Sequence, residues 1–286
     1  MKLGVIANCT KQSATRVLNS LAELAPDYEL ELVTFGETAS FLPSATHVSE
    51  EAFPSSIEVL MAMGGDGTML ASVATLKGAD VPLIGVNLGK LGFLTSLREE
   101  QLEDALKALS SAEYNLSKRT TVNAKLIRDG KEIINCDALN EVVTGFGASS
   151  RVADLSLSVE GRYVTTFICD GLIVSTPTGS TGHNLSAGGP VMHPDTEGLI
   201  ITLICPHALS ARPVVVPKNK TLSVLLNEQS KALVLAADGN VVSDLLPGDK
   251  VEISAGQTPV SFIQLKDAHY FDLLREKLAW KGSNIH

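Results

Sequence analysis

The stretch Ile57-Glu58-Val59-Leu60-Met61-Ala62-Met63, running straight into Gly64-Gly65-Asp66-Gly67-Thr68, decides how the first half of this sequence reads. A short, largely apolar run that ends in a glycine cluster suits a buried strand. A helical pattern from about Thr68 to Lys77 follows and is stopped by Gly78. Strand, glycine turn and helix in that order are the beginning of a βαβ unit. The alternation continues outward in both directions. Upstream, Leu3 to Ala7 reads as a strand, and a helix that Ser13 can cap carries Val17, Leu18, Leu21 and Leu24 on one face before Pro26 closes it. Leu30 to Phe35 is the next strand. Downstream, Val81 to Val86 is a strand, and Gln101 to Leu109 is a helix with Leu102, Ala105, Leu106 and Leu109 on one side. The expectation is an α/β N-terminal domain with a parallel sheet, over residues 1–112.

Past residue 112 the texture changes to short strands: Val122 to Arg128, Lys131 to Ile134, Leu155 to Val159, Tyr163 to Ile168, Leu199 to Ile204, Leu222 to Leu226, Leu233 to Ala236 and Val251 to Ile253. Asp129-Gly130 supplies the positive φ of a type I′ hairpin turn, and Glu160-Gly161 is able to do the same. A β-rich, sandwich-like domain over 113–265 is expected. A C-terminal segment, 266–286, carries a helix capped by Asp267, with Phe271, Leu274 and Leu278 on one face, and is expected to pack back on the first domain.

Composition bounds the function. The chain has 286 residues, 44% hydrophobic and 19% charged, which is ample material for a packed core in two domains. Its 23 basic against 32 acidic residues give a net charge of −9. A surface of that sign is not built to grip nucleic acid, whose phosphates need clustered Lys and Arg. A small anion can still be held by local backbone N–H groups. Cys9, Cys136, Cys169 and Cys205 are scattered, with no zinc-type spacing, and read as apolar side chains in a reducing compartment. The apolar N-terminal stretch is too short for a signal peptide, and no run approaches the ~18 residues of a membrane span. A cytoplasmic protein with no membrane partner is expected.

Three segments can carry chemistry. The glycines Gly64, Gly65 and Gly67 let backbone approach a ligand, and the helix beginning near Thr68 presents unpaired N–H groups and a positive dipole end, a natural phosphate site. The segment is neither G-x-G-x-x-G nor a Walker A loop, which would carry a Lys. Asp66 therefore needs its own account: it caps the helix, binds a metal ion, or contacts a hydroxyl that attacks phosphate. Asn140-Glu141 is either a solvated turn or a pair that hydrogen-bonds ribose hydroxyls. The segment from Asp170 to Pro190 is rich in Ser, Thr, Gly, Asn and His, poor as core and suited to surround a polar ligand; the alternative is a loop with capping residues. Asp238-Gly239-Asn240 reads equally as a tight turn. Ser180 lacks the strand-elbow sequence of a hydrolase nucleophile.

These motifs coincide in one order: Gly64 to Thr68, Asn87-Leu88-Gly89-Lys90-Leu91-Gly92-Phe93-Leu94, Leu139-Asn140-Glu141, Asp170 to Pro190, and Pro206-His207-Ala208-Leu209-Ser210-Ala211-Arg212-Pro213. Together they resemble the NAD kinase family, and the resemblance extends from the first strand to about Asn240. The first motif is shared with diacylglycerol kinases; the second, fourth and fifth are more specific. The resemblance implies transfer of the γ-phosphoryl of ATP to the 2′-hydroxyl of the adenosine ribose of NAD, giving NADP, with polyphosphate as an alternative donor. It implies a site between the two domains, a divalent metal such as Mg²⁺ with no ligand residue assigned, small nucleotides as partners, and a homodimer or homotetramer. By motif position Asp66 matches the proton acceptor. Gly67, Asn140, Glu141, Asp170, Thr181, Gly182, His183, Asn184, Leu185 and Ser186 match dinucleotide contacts. Gly64, Gly65 and Gly67, with the helix N-terminus at Thr68, would hold phosphate. Arg151 and Asn240 stand where the family often has a basic residue and a Gln.

Two departures touch the nucleotide. The family usually reads Thr-Ala-Tyr where this chain has Thr181-Gly182-His183, so a smaller, ionisable ring replaces a phenol. Ile168 stands where bacterial members often carry Arg. Two rival functions are a lipid or sugar kinase sharing only the glycine loop, and a non-catalytic NAD(P) sensor. The Ser/Thr/Gly-rich segment opposes the first, and the acidic side chain in the phosphate loop opposes the second.

Overall fold

The structure is a computed structural model and describes residues 1–95, 97–145, 152–231, 233–265 and 269–280. The chain divides into two units, one formed by Met1–Lys118 with Val260–His286, the other by Arg119–Pro259.

The first unit follows the alternation in the sequence. Strand β1 (Lys2–Ala7) leads to α1 (Ala14–Leu24), then β2 (Glu31–Thr34), α2 (Gly36–Phe41), β3 (Thr46–His47), β4 (Val59–Gly64), α3 (Asp66–Leu76), β5 (Leu83–Asn87), β6 (Leu97–Arg98), α4 (Leu102–Ser110) and β7 (Asn115–Arg119). Pairings β1 with β2, β1 with β4, and β4 with β5 are all parallel. Helix α1 buries Val17, Leu18 and Leu21, and α4 buries Leu102, Ala105, Leu106 and Leu109. These side chains join Leu3, Val5, Val59, Met61, Met63, Ile84 and Val86 of the strands in one core. Ser13 does occupy the N-cap position of α1, but its hydroxyl makes no capping bond and donates instead to the Leu88 carbonyl at 3.4 Å.

The second unit holds two six-stranded sheets. Its strands are β8 (Val122–Arg128), β9 (Lys131–Ala138), β10 (Glu141–Gly145), β11 (Ala153–Val159), β12 (Arg162–Cys169), β13 (Gly171–Ser175), β14 (Gly198–Ile204), β15 (Val214–Pro217), β16 (Leu222–Leu226), β17 (Leu233–Ala237), β18 (Asn240–Leu245) and β19 (Lys250–Ala255); a short helix, α5 (His183–Ser186), lies between β13 and β14. The sheets run β15-β14-β13-β10-β17-β18 and β12-β11-β16-β19-β8-β9, with antiparallel neighbours. Alternate residues of one sheet (Val122, Ala124, Leu126, Leu155, Leu157, Val251, Ile253) and inward residues of the other (Val142, Leu172, Val174, Leu235) share one core, which makes the unit a sandwich.

The chain then returns to the first unit with β20 (Val260–Gln264), which pairs parallel with β5 through Phe262 and Leu83, and with α6 (Tyr270–Lys277). The first sheet thus reads β3-β2-β1-β4-β5-β20-β7, with β6 on β5. The boundaries expected at 112/113 and 265/266 differ from this division, because β7 and β20 both belong to the first sheet; a short apolar run gives no sign of which sheet it will join. Helix α6 is tied to its unit by Arg98 to Glu276 at 3.1 Å and by the buried Leu274. The capping role expected of Asp267 lies outside the described residues; His269 occupies the N-cap. Among the described residues no helix is long and apolar enough to cross a membrane.

Candidate active site

In the first unit the glycine cluster does what its position on a strand end requires. Gly64 closes β4, and a Cβ there would run into the Thr68 side chain, so the strand can meet the first turn of α3 only as glycine. Gly65 is the N-cap of α3 and Asp66 its first residue; Gly67 is exposed, with open space where a Cβ would stand. In this first turn the Thr68 N–H is bonded to the Gly65 carbonyl at 3.0 Å, and the N–H groups ahead of it, of Asp66 and Gly67, are those that a helix N-terminus leaves without an intrahelical partner.

The Asp66 carboxylate is held by backbone from elsewhere. Oδ2 accepts the Phe93 N–H at 2.9 Å and Oδ1 the Leu94 N–H at 2.9 Å. A Cβ on Gly92 would fall inside that carboxylate, so the loop after β5 approaches it as closely as glycine permits. Asp66 therefore does not act as an ordinary helix cap. Each oxygen keeps a free lone pair and a fixed direction.

In the second unit Asn140 lies between β9 and β10, and Glu141 is the first residue of β10. Their backbone is gripped by Asp238, which accepts from Leu139 N–H (2.8 Å), Asn140 N–H (2.7 Å) and Glu141 N–H (3.2 Å). Asp238 and Gly239 both have positive φ, +46° and +80°, so the pair forms the β17–β18 hairpin turn and aims its carboxylate at the same time. From the other side, Thr176 donates through Oγ1 to the Leu139 carbonyl at 2.6 Å. Gly179 packs on the Asn140 backbone with no room for a Cβ. A Cβ on Gly182 would lie 3.6 Å from Glu141 Oε2 and 4.0 Å from Asn140 Nδ2, so the turn after β13 covers the pair.

Three oxygens in this cluster are buried without a partner among the described residues: Asn140 Oδ1, Glu141 Oε2 and Thr178 Oγ1. An unpaired buried acceptor costs about 1–3 kcal/mol, so three together mark a surface that waits for donors. Burial, reinforced by the nearby negative charge of Asp238, pushes the Glu141 carboxyl up to about 7. Burial raises Asp238 as well, against the pull of the three backbone N–H groups.

The remaining candidates separate by what their side chains already do. Asn184 is fully buried and its amide is saturated: Nδ2 donates to Ser180 O and Pro190 O, both at 3.0 Å, and Oδ1 accepts from Thr202 Oγ1 at 2.6 Å. It shapes the loop from inside. Ser180 is likewise internal, donating to Pro177 O at 2.6 Å. Thr181 is half-buried and bonded back to Thr178 O at 3.4 Å, Leu185 is half-buried, and His183 and Ser186 are exposed. Asp170 lies between β12 and β13, where its carboxylate accepts the Cys205 thiol; that bond, and the charge of Asp170, raise the thiol above its ordinary range. Asn240 is exposed, with Nδ2 directed at Asp238 O at 3.4 Å. Arg151 lies outside the described residues.

Several residues of this geometry carry no role in the sequence reading: Asp238 as the support of Asn140-Glu141, Thr178 as an unpaired acceptor, and the Asn87, Gly92 and Thr95 set beside Asp66. Asp238 had a visible signal, an acidic residue before glycine at a hairpin, but that signal is complete as a turn. Only its partners, about a hundred positions away in sequence, show the second use.

The donor set does not hold a metal ion by itself. Among the described residues no group of three or more His, Cys, Asp or Glu converges.

A model described as the ATP-NAD kinase N-terminal domain matches residues 3–114, and one described as the ATP-NAD kinase C-terminal domain matches 139–265. A protein of Geotalea daltonii named NAD kinase is 41% identical over 243 residues, 82% of this chain and 85% of that one. The NAD kinase of Syntrophotalea carbinolica is 36% identical over 280 residues, 98% of each. Among solved structures, an NAD kinase from Archaeoglobus fulgidus in complex with ATP matches with a TM-score of 0.76 and 27% identity, over 99% of this chain and 100% of that one. Yeast NADH kinase complexed with NADH matches with a TM-score of 0.89 at 22% identity, over 100% of this chain and 89% of that one, and shows the shared fold.

Proposed function

The chain belongs to the NAD kinase family, and we propose that Asp66 is the group that takes the proton of the acceptor hydroxyl. The reaction is ATP-dependent phosphorylation of the 2′-hydroxyl of the adenosine ribose of NAD, giving NADP and ADP. The observation that carries the role of Asp66 is its carboxylate, fixed by the Phe93 and Leu94 N–H groups beside a helix N-terminus suited to phosphate. As the 2′-oxygen forms its bond to the γ-phosphorus, the bond from that phosphorus to the β–γ bridging oxygen breaks, and the hydroxyl proton passes to a free Asp66 lone pair. Phosphoryl transfer goes through a loose transition state, so positioning and charge matter more than base strength.

The dinucleotide is the natural source of the donors that the second unit lacks. Ribose hydroxyls and amide or amine N–H groups match Asn140 Oδ1, Glu141 Oε2 and Thr178 Oγ1. Asp170, Thr181, Gly182, His183, Leu185 and Ser186 complete that surface in this reading, with Arg151 and Asn240 at its edge and Asn184 supporting the loop. Gly64, Gly65, Gly67 and Thr68 hold phosphate.

Mg²⁺ fits this donor set only as an ion that arrives with the triphosphate, since the protein offers too few ligands and Mg²⁺ favours phosphate oxygens and water. When bound it would offset phosphate charge beside Asp66. We place the enzyme in the cytoplasm on its four free cysteines and its nucleotide substrates. We assign it a homodimer or homotetramer on the apolar side chains that its second unit exposes, Ile168, Leu209, Val214 and Val215.

The test is NADP formation from NAD, ATP and Mg²⁺, with Asp66→Asn alongside. The variant is expected to lose about 10²–10⁴ in kcat and still bind NAD. Normal turnover in a folded Asp66→Asn protein overturns the assignment.

A further inference from the structure

We propose that Asn87 and Thr95 are positioning residues for Asp66, acting through the loop between them. The inference rests on the reading that Asp66 receives the acceptor proton.

The loop from Leu88 to Thr95 has no helix or strand of its own, yet it supplies both N–H groups that hold Asp66. A loop of that kind keeps its shape only if something inside it replaces the missing secondary structure. Asn87 and Thr95 do so. Asn87 ends β5, paired in register with Gly64 at the end of β4, and it is 4% exposed. Its Oδ1 accepts the Gly89 N–H at 2.7 Å, and its Nδ2 donates to Lys90 O at 2.9 Å and to Thr95 Oγ1 at 2.9 Å. Thr95, 1% exposed, accepts the Gly92 N–H on the same oxygen at 3.0 Å. The next two N–H groups, of Phe93 and Leu94, are the ones that reach Asp66.

The connection is therefore continuous. Asn87 holds Thr95, Thr95 holds Gly92, and Gly92 delivers Phe93 and Leu94 to the carboxylate. Gly85 keeps the base of the loop tight, because a Cβ there would meet Met69 Sδ and Thr95 Cα. Every amide atom of Asn87 is bonded and Thr95 Oγ1 accepts twice, so the two buried side chains form one connected network. Neither side chain bonds Asp66 itself, so their effect on the reaction passes through the direction of its oxygens.

The experiment uses the full-length enzyme and steady-state kinetics with NAD, ATP and Mg²⁺. Thr95→Val keeps the shape and removes the oxygen; Thr95→Ser keeps the oxygen. Thr95→Val is expected to lower kcat by about 10–100-fold with KM for NAD and ATP changed less than about threefold, and Thr95→Ser to retain activity within about threefold. Asn87→Ser, which shortens the amide out of reach of Lys90 and Thr95, should behave as Thr95→Val does and serves if that variant fails to fold. The deciding comparison repeats each change in an Asp66→Asn background. A residue that works through Asp66 has nothing left to lose there, so kcat should fall by less than about twofold further. Full kcat in Thr95→Val and Asn87→Ser, or losses that multiply with that of Asp66→Asn, overturns the proposal. Wild-type turnover in Asp66→Asn alone overturns the assigned role of Asp66, which is a separate failure.

Discussion

Asp238 holds the backbone of Glu141 and opposes the charge of its side chain. The Asp238 carboxylate accepts the Glu141 N–H at 3.2 Å, while burial, with the negative charge of Asp238 added, raises the Glu141 carboxyl to about 7. The same acid therefore fixes where the residue stands and favours its neutral form near physiological pH.

A stability profile follows from the sign. The folded value lies above the ordinary value near 4.5, so the contribution is fully present below about 4.5 and is lost as pH rises through about 7. The size is roughly 3 kcal/mol at most. Glu141→Gln, which cannot ionise, is expected to gain stability relative to wild type at pH 8 and to match it near pH 4.5. Urea unfolding of the ligand-free protein at the two pH values checks this; equal differences at both would mean that Glu141 is not held neutral.

Gly92→Ala should separate catalysis from binding. Its methyl group would occupy the space of the Asp66 carboxylate, so the carboxylate must swing away from the Phe93 and Leu94 N–H groups. The expected loss in kcat is about 10²-fold, with KM for NAD and ATP nearly unchanged. A variant with normal kcat would show that the fixed direction of Asp66 is not used.

Asn140→Ala and Asp170→Ala should act on the other substrate. If these groups receive N–H and O–H donors of NAD, each change weakens NAD binding by about 1–3 kcal/mol and leaves KM for ATP in place. Calorimetric titration with NAD in the absence of ATP gives the number directly. An effect confined to ATP would reverse the assignment of donor and acceptor sites.

His183 is exposed next to Gly182, which covers Asn140 and Glu141, and its ring makes no hydrogen bond to a described residue. It is free to stack on a base. A phenol offers more contact, so His183→Tyr is expected to tighten NAD binding by about 0.5–1.5 kcal/mol in a calorimetric titration. An unchanged affinity would remove His183 from the nucleotide surface.

Metal dependence should belong to the substrate. Chelation is expected to abolish turnover and added Mg²⁺ to restore it, while Mg²⁺ alone gives no calorimetric signal with the ligand-free protein, because no described trio of ligands converges. A tight site for the bare ion would contradict this.

The fold was readable where its signals are local. Alternating strand and helix patterns around Val59–Gly64 predicted a parallel sheet, and β1, β4 and β5 form one. Asp129-Gly130 and Glu160-Gly161 predicted hairpins, and both pairs have positive φ between paired strands. The candidate site was readable in part, because glycines at a strand end and a polar stretch after β13 are unusual as core. The supporting roles of Asn87, Thr95 and Asp238 were not legible, because an Asn, a Thr and an Asp-Gly turn are ordinary in loops until their partners are known.

Residue order by itself determined which segments become strands, helices and turns, since periodicity and φ preference act within a few positions. It also determined, through its motifs, the family and hence the reaction. Tertiary structure alone decided that β20 joins the first sheet, that Asp66 is held by residues 27 and 28 positions away, and that Asp238 reaches back 98 positions to Asn140. The physical reason is that a backbone N–H donates to any well-placed oxygen. Which oxygen it meets is settled by how the cores pack, and the same packing, by excluding water from Glu141, sets the charge that residue carries.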